Sequence, residues 1–316
     1  MAQITRHRRL EFRSPQVLAD TSQAMSRWAH RRLPWWQRPP TPAAQPDGAE
    51  GPPAGEPVVL AVDGQVATVT VNRPERRNAL NLAVWQSLTE IAERLAAEAS
   101  SGHVRVVVLT GAGDKAFSAG SDIAEFTESR LGAAAARRYN ETYEAALQAW
   151  AALPQPVVAR IAGYCLGAGL ELALTADFRI AAQDAILGIP AAKLGIGISV
   201  ADARRLIDVV GPARARALLL SGDRVTADEA LALGLVNDVL PADELDARVQ
   251  AQVRSLLDNA PLTMAWVKQA VSFAMRHPDA ESVPFDVLGT HLFTSRDCEE
   301  GVQAFLAHRR PQFTGA

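Results

Sequence analysis

Residues 163–177 read GYCLGAGLELALTAD, and Glu171 is the one charged group before Asp177 in a run of glycine, alanine, leucine and a cysteine. A carboxylate in such surroundings must reach water, find a partner or carry out chemistry. The preceding PVVARIA reads as a strand ending at Gly163, and ELALTA as the start of a buried helix. Gly167, Ala168 and Gly169 then fall at a loop-to-helix junction, where backbone N–H groups have no intrahelical acceptor. Small side chains let an incoming group approach those donors closely. An oxygen that gains negative charge during a reaction is stabilised by such donors. Glu171 lies three residues after Ala168, so on a helix the two share a face. An acid/base group and an anion donor are thereby aimed at one space, although the same spacing also allows Glu171 simply to cap or pair near the helix start.

Other chemistry-bearing patterns are weak. VVVLTGAGDKAFSAGSD (106–122) resembles the entry to a phosphate-binding turn, but a dinucleotide fingerprint needs glycine where Ala116 stands, and Phe117, Ser118, Gly120 and Ser121 read as loop. No Walker-type Gly-Lys-Ser/Thr run and no Gly-x-Ser-x-Gly elbow occurs. The six histidines lack paired metal spacing, and Cys165 and Cys298 form neither a disulfide framework nor a metal site. His291 and His308 read as surface or interface residues. No metal is expected.

The chain of 316 residues has ample apolar content for a core, and its formal charge of −3 gives no reason to expect a nucleic-acid partner. No apolar run approaches the roughly 18 residues of a membrane span. A Sec-type signal pattern is not legible, and a cytoplasmic location is the expectation. Residues 1–57 differ from the rest. Eight arginines and three tryptophans precede TPAAQPDGAEGPPAGEP, a Pro/Gly/Ala linker unsuited to a core. The expectation is a disordered extension and linker, with a partner-docking arm or a transit segment as alternatives.

Elements can be placed from Val58 onward. VVLAVDGQVATVTV alternates around Asp63-Gly64 as a hairpin does. Leu82, Trp85, Leu88, Ile91 and Leu95 recur at helical spacing. VRVVVLTG, PVVARIAG and FRIAA are continuous apolar runs, as expected of strands covered on both faces. After Ser199 strand signals fade and amphipathic helical segments dominate.

Several stretches together resemble the crotonase, or enoyl-CoA hydratase/isomerase, superfamily. They include VTVNRPERRNALN (69–81), VRVVVLTGAGDKAFSAGSDIAEF (104–126), PVVARIAGYCLGAGLELALTADFRIAA (156–182), ILGIPAAKLGI (186–196), LLLSGDRVTADEALALGLVNDVL and the terminal GVQAFLAHRRPQF. Their order and spacing cover roughly residues 58–313. The resemblance implies an α/β, ClpP-like spiral of ββα repeats, with a core at 58–260 and a C-terminal helical trimerisation region at 261–316.

It also implies an acyl-CoA thioester substrate, in fatty acid metabolism, with coenzyme A as part of the substrate and no separate cofactor. The thioester carbonyl would be polarised by the backbone N–H groups of Ser121 and Ala168. Arg76, Asn78 and Ala79 on one side, and Ala119, Ser121, Asp122, Ile123 and Ala124 with Gly167 on the other, would line the substrate path. Hydratases of the family hold water between two glutamates. Glu171 matches the first, while the second position is Ala191 in Pro190-Ala191-Ala192-Lys193-Leu194-Gly195. Ser199 stands where dienoyl-CoA isomerases carry an aspartate. Asp202 is expected on the solvent face of a helix, with a stand-in acid as the alternative. Ile189, Ala191 and Ile198 suggest an apolar acyl pocket.

The expected activity is hydration of an enoyl-CoA with Glu171 as sole catalytic carboxylate. The alternatives are isomerisation, decarboxylation or hydrolysis of a related thioester, or a catalytically weak binding protein using its basic arm. Phe305, His308, Arg309 and Phe313 match the family's terminal motif, which implies a homotrimer or a dimer of trimers.

Overall fold

The computed structural model describes residues 55–99, 102–276 and 289–316, without the side chains of 127, 128 and 291. The extension and linker expected at 1–57 lie almost wholly outside the described residues, as does the His291 side chain.

Strands β1 (Val58–Asp63) and β2 (Val66–Val71) form the expected hairpin, with Asp63 opposite Val66. Its turn is Gly64-Gln65, and Gly64 takes the positive φ of 55° that a tight connection requires. From there the chain winds as a spiral in which successive strand pairs feed two sheets. Strands β3 (Val106–Gly111), β5 (Val157–Ile161) and β7 (Phe178–Ala182) enter the first sheet. Strands β4 (Ala116–Ser118), β6 (Tyr164–Leu166) and β8 (Ile186–Gly188) enter the second. With β9 (Arg224–Thr226) and β10 (Asp238–Leu240), the orders are β1-β2-β3-β5-β7-β10 and β4-β6-β8-β9. Among the described residues, the β1–β2 and β8–β9 strand pairings are antiparallel and the other six are parallel.

The first sheet is covered on both faces, which explains its continuous apolar runs. Val107 and Leu109 of β3 enter the main core. Val106 and Val108 pack instead with Val249, Val253 and Leu256 of helix α6 (Leu245–Leu257). Helices α1 (Leu82–Glu98) and α2 (Ala133–Ala151) pack against each other on the main core. The Asn81 side chain caps α1 by accepting from the Val84 N–H at 3.0 Å. Trp85 meets Tyr143 of α2 edge-on at 5.0 Å between ring centroids, and its indole N–H donates to the Tyr139 hydroxyl.

Four short strands depart from the sequence expectation. Residues 116–118 form β4 rather than loop, and β6 intervenes between Gly163 and the helix after Gly167. Strands β9 and β10 lie in the region where strand signals fade. At three residues each, they are too short to show a period of two. Among the described residues, the remaining helices longer than a single turn are α3 (Ala168–Ala173), α4 (Val200–Ser221), α5 (Ala227–Leu233), α7 (Pro261–Arg276) and α8 (Arg296–Leu306).

Candidate active site

Glu171 occupies the first turn of α3 and is 2% exposed. β6 delivers the chain to Gly167, whose φ of 52° turns it into the helix, and the Gly167 N–H donates to the Gly188 carbonyl at 2.8 Å. The helix is seated by close backbone approach. A Cβ on Gly169 would lie 2.6 Å from Ser118 Cβ, so only glycine lets α3 rest on β4.

The segment 119–122 lies alongside. A Cβ on Gly120, whose φ is 97°, would stand 2.8 Å from the Leu166 carbonyl and 3.6 Å from the Ala168 nitrogen. Leu80 pairs in parallel with Ser121: its N–H donates to Gly120 O, and its carbonyl accepts from the Asp122 N–H. Ser121 directs its own N–H away from Leu80 as a result of this pairing. Ala119 N–H donates to Arg77 O, which joins the 76–81 loop to the same segment.

That loop is itself held by buried polar contacts. Asn78 donates to the Ala112 and Ala116 carbonyls at 3.1 and 2.7 Å, while its Oδ1 accepts from the Arg73 N–H. Arg73 pairs with Asp122 at 2.9 Å and donates to Ala79 O. Ala79 is buried; Arg76, Ile123 and Ala124 are exposed. Thus the two proposed donor segments and the loop beside them come together, with the Asn78 and Asp122 side chains engaged in positioning them.

Ala191 is buried at the head of a single helical turn, Ala191–Leu194, and belongs to the main core with Ile189. Ile198 packs against that core from a half-buried position. Ser199 caps α4, accepting from the Asp202 N–H at 3.0 Å, while Asp202 accepts from the Ser199 N–H at 3.3 Å. This reciprocal capping box fixes Asp202 at the third position of the helix.

Asp202 is not on the solvent face, contrary to expectation: it is 6% exposed. The Tyr143 hydroxyl donates to its Oδ1 at 2.7 Å, and Arg205 Nη2 donates to the same oxygen at 2.6 Å. Arg205 also binds Glu144 of α2 through both terminal nitrogens, at 3.2 and 3.1 Å. Its Nε lies 3.7 Å from Glu171 Oε2, beyond hydrogen-bond distance. Neither Glu171 oxygen, nor Arg205 Nε, has a hydrogen-bond partner among the described residues.

Burial, reinforced by the Asp202 charge and opposed by Arg205, holds the Glu171 carboxyl well above the usual carboxylate range. Burial and the charges of Glu171 and Asp202 likewise push Tyr143 well above its ordinary value. Burial disfavours the Arg205 charge, but its bonds to Glu144 and Asp202 prevail and raise its pKa. Tyr143, Glu144 and Arg205 were not singled out in the sequence, because no local pattern joins residues about sixty positions apart. The Ser-x-x-Asp spacing at 199–202 marks the start of α4 but not the burial of Asp202.

The model for the enoyl-CoA hydratase/isomerase family matches residues 62–316. Crotonyl-CoA hydratase of Syntrophomonas wolfei is 36% identical over 262 residues, covering 82% of this chain and 98% of that protein. The 2,3-dehydroadipyl-CoA hydratase of Escherichia coli is 36% identical over 263 residues, with the same coverage. Among solved structures, an enoyl-CoA hydratase/carnithine racemase from Magnetospirillum magneticum superposes with a TM-score of 0.78 at 38% identity, covering 83% of this chain and 97% of that one. A spiral of strand pairs feeding two sheets, with a family-wide match across nearly the whole described chain, places this protein in the enoyl-CoA hydratase/isomerase family, the crotonase superfamily, as a hydratase-like enzyme.

Proposed function

We propose that the protein adds water across the C2=C3 double bond of an enoyl-CoA thioester. The observation that carries this reading is the buried Glu171 carboxyl, three residues after Ala168, with neither oxygen hydrogen-bonded among the described residues. The thioester oxygen is received by the Ser121 and Ala168 N–H groups. The Ser121 N–H faces away from Leu80, and Ala168 is the first residue of α3, where a backbone donor has no helical acceptor. Negative charge that develops on this oxygen as C2 gains electron density is stabilised there. Glu171 is the acid/base group, and coenzyme A enters as part of the substrate.

The apolar surroundings of Ala191 favour a second reading, in which a single carboxyl isomerises or decarboxylates a related thioester. Product mass separates these: hydration adds water, isomerisation leaves the mass unchanged, and decarboxylation removes carbon dioxide. Incubation with crotonyl-CoA and longer enoyl-CoA esters should give the hydrated mass. An unchanged mass with a displaced double bond, or loss of carbon dioxide from a malonyl-type thioester assayed in parallel, would transfer the assignment to the second reading.

The same reading includes a trimer or dimer of trimers, supported by exposed Phe293, Phe305 and Leu306 near the C-terminus. It also includes a cytoplasmic setting. No helix among the described residues is long and apolar enough to cross a membrane.

A further inference from the structure

Addition of water by one carboxyl requires it to give a proton to carbon and to take one from water. Neither Glu171 oxygen is committed to a hydrogen bond among the described residues. Burial favours the neutral form of Glu171 first, and the groups that face it then reinforce or oppose that preference. Asp202 and Arg205 come from α4, and Tyr143 and Glu144 from α2. Beneath α3, β4 supplies the uncharged Ser118, and β6 supplies Cys165, whose thiol burial pushes up. Three carboxyls therefore share one guanidinium, and full ionisation would leave an excess of two negative charges in a poorly hydrated space.

The geometry ranks the three. Glu144 receives two bonds from Arg205. Asp202 receives one from Arg205, one from Tyr143 and one from the Ser199 N–H. Glu171 receives none.

We propose that Asp202 and Glu144, by drawing the Arg205 guanidinium onto themselves, are positioning residues that keep Glu171 a neutral acid, so that one carboxyl serves as both donor and acceptor. The inference rests on the hydratase reading above. In the reaction, the Glu171 O–H bond breaks and its proton bonds to C2, using the electron pair of the C2=C3 bond. A water lone pair forms the C3–O bond. The O–H bond of that water breaks, and its proton passes to the other Glu171 oxygen. The product gains one H and one OH, and the carboxyl ends with the single proton it began with.

Infrared spectroscopy of the whole protein at neutral pH tests the protonation directly. A protonated-carboxyl C=O stretch should be present in the wild type and absent in Glu171→Gln. In Asp202→Asn, where Arg205 is released toward Glu171, it should give way to a carboxylate band. The kcat/KM for crotonyl-CoA should fall as pH rises, and in Asp202→Asn the fall should begin at about tenfold higher proton concentration. Glu144→Gln, at a partly exposed position, should shift both readouts in the same direction and serves if Asp202→Asn does not fold. A wild-type spectrum without the Glu171-dependent band would overturn the proposal, as would variants that lower the rate equally at all pH values. The band needs no turnover: hydration without the band contradicts this proposal alone, whereas the band without hydration supports neutral Glu171 and contradicts the hydratase reading.

Discussion

Glu171 Oε2 and Arg205 Nε lie 3.7 Å apart, and no hydrogen bond joins them. Arg205 is turned toward Asp202 and Glu144 instead. A buried acid beside a cation hydrogen-bonded elsewhere is held more loosely than one in a hydrogen-bonded salt bridge. It can move a proton without first breaking a strong contact.

Replacing Glu171 by glutamine retains shape and removes the proton carrier. The kcat for enoyl-CoA hydration should fall by about 10²–10⁴ with circular dichroism unchanged, since this is the usual contribution of one general acid or base. Stopped-flow or steady-state absorbance at the enoyl thioester band measures it.

The same substitution has a pH signature in stability. Burial raises the folded-state pKa of Glu171 above its unfolded value of about 4.3. Protonation therefore favours the folded chain. That contribution is complete below the unfolded pKa and is lost as pH rises through the raised one. Glu171→Gln does not titrate, so its melting temperature relative to wild type should increase as pH rises above about 4. Differential scanning fluorimetry across this range gives the comparison.

Gly120→Ala should damage the candidate oxyanion donors without touching Glu171. The new Cβ would meet the Leu166 carbonyl at 2.8 Å, at a φ of 97° that alanine rarely adopts. The strain is about 1–3 kcal/mol. Displacing one donor should lower kcat by about 10²–10³. Denaturant melts and hydration kinetics on the same preparation separate the two effects.

Arg73→Met leaves the Asp122 carboxylate without its partner in a setting only 9% exposed at the side chain. Because Arg73 itself is partly exposed, the loss should be below the about 3–5 kcal/mol typical of a fully buried pair. The 76–81 loop should loosen with it, raising KM more than it lowers kcat. Urea denaturation midpoints and kinetics test both parts.

At the other end of the chain, Glu300 accepts from both terminal nitrogens of Arg309 and from the Gln312 N–H. The Arg309 bonds, followed by the backbone bond, lower its pKa to about 2. This contact should persist through mild acid and be lost as pH falls through about 2. The Gln312 amide proton resonance should titrate with that midpoint rather than in the ordinary glutamate range.

The long elements were legible because their signals are local. Leu82, Trp85, Leu88 and Leu95 mark a helix face, and the doubly covered β3 and β5 read as unbroken apolar runs. Gly167, Ala168 and Glu171 were legible as a junction because glycine and a lone carboxyl stand out against leucine. Strand β6 was not, because three residues carry too little periodicity. Asp202 was misplaced for another reason. Its position within the helix follows from Ser199, but its burial depends on Tyr143 and Arg205 meeting it from two helices. Residue type at 202 contains nothing of that encounter.

The central claim is that Glu171, at a backbone donor pair, adds water to an enoyl thioester. Mass-resolved turnover of crotonyl-CoA by wild type and Glu171→Gln tests it most directly. The account predicts a product heavier by one water from the wild type, with at least about a hundredfold slower formation by the variant. Equal rates from the two proteins, or a wild-type product lacking the added water, would contradict it.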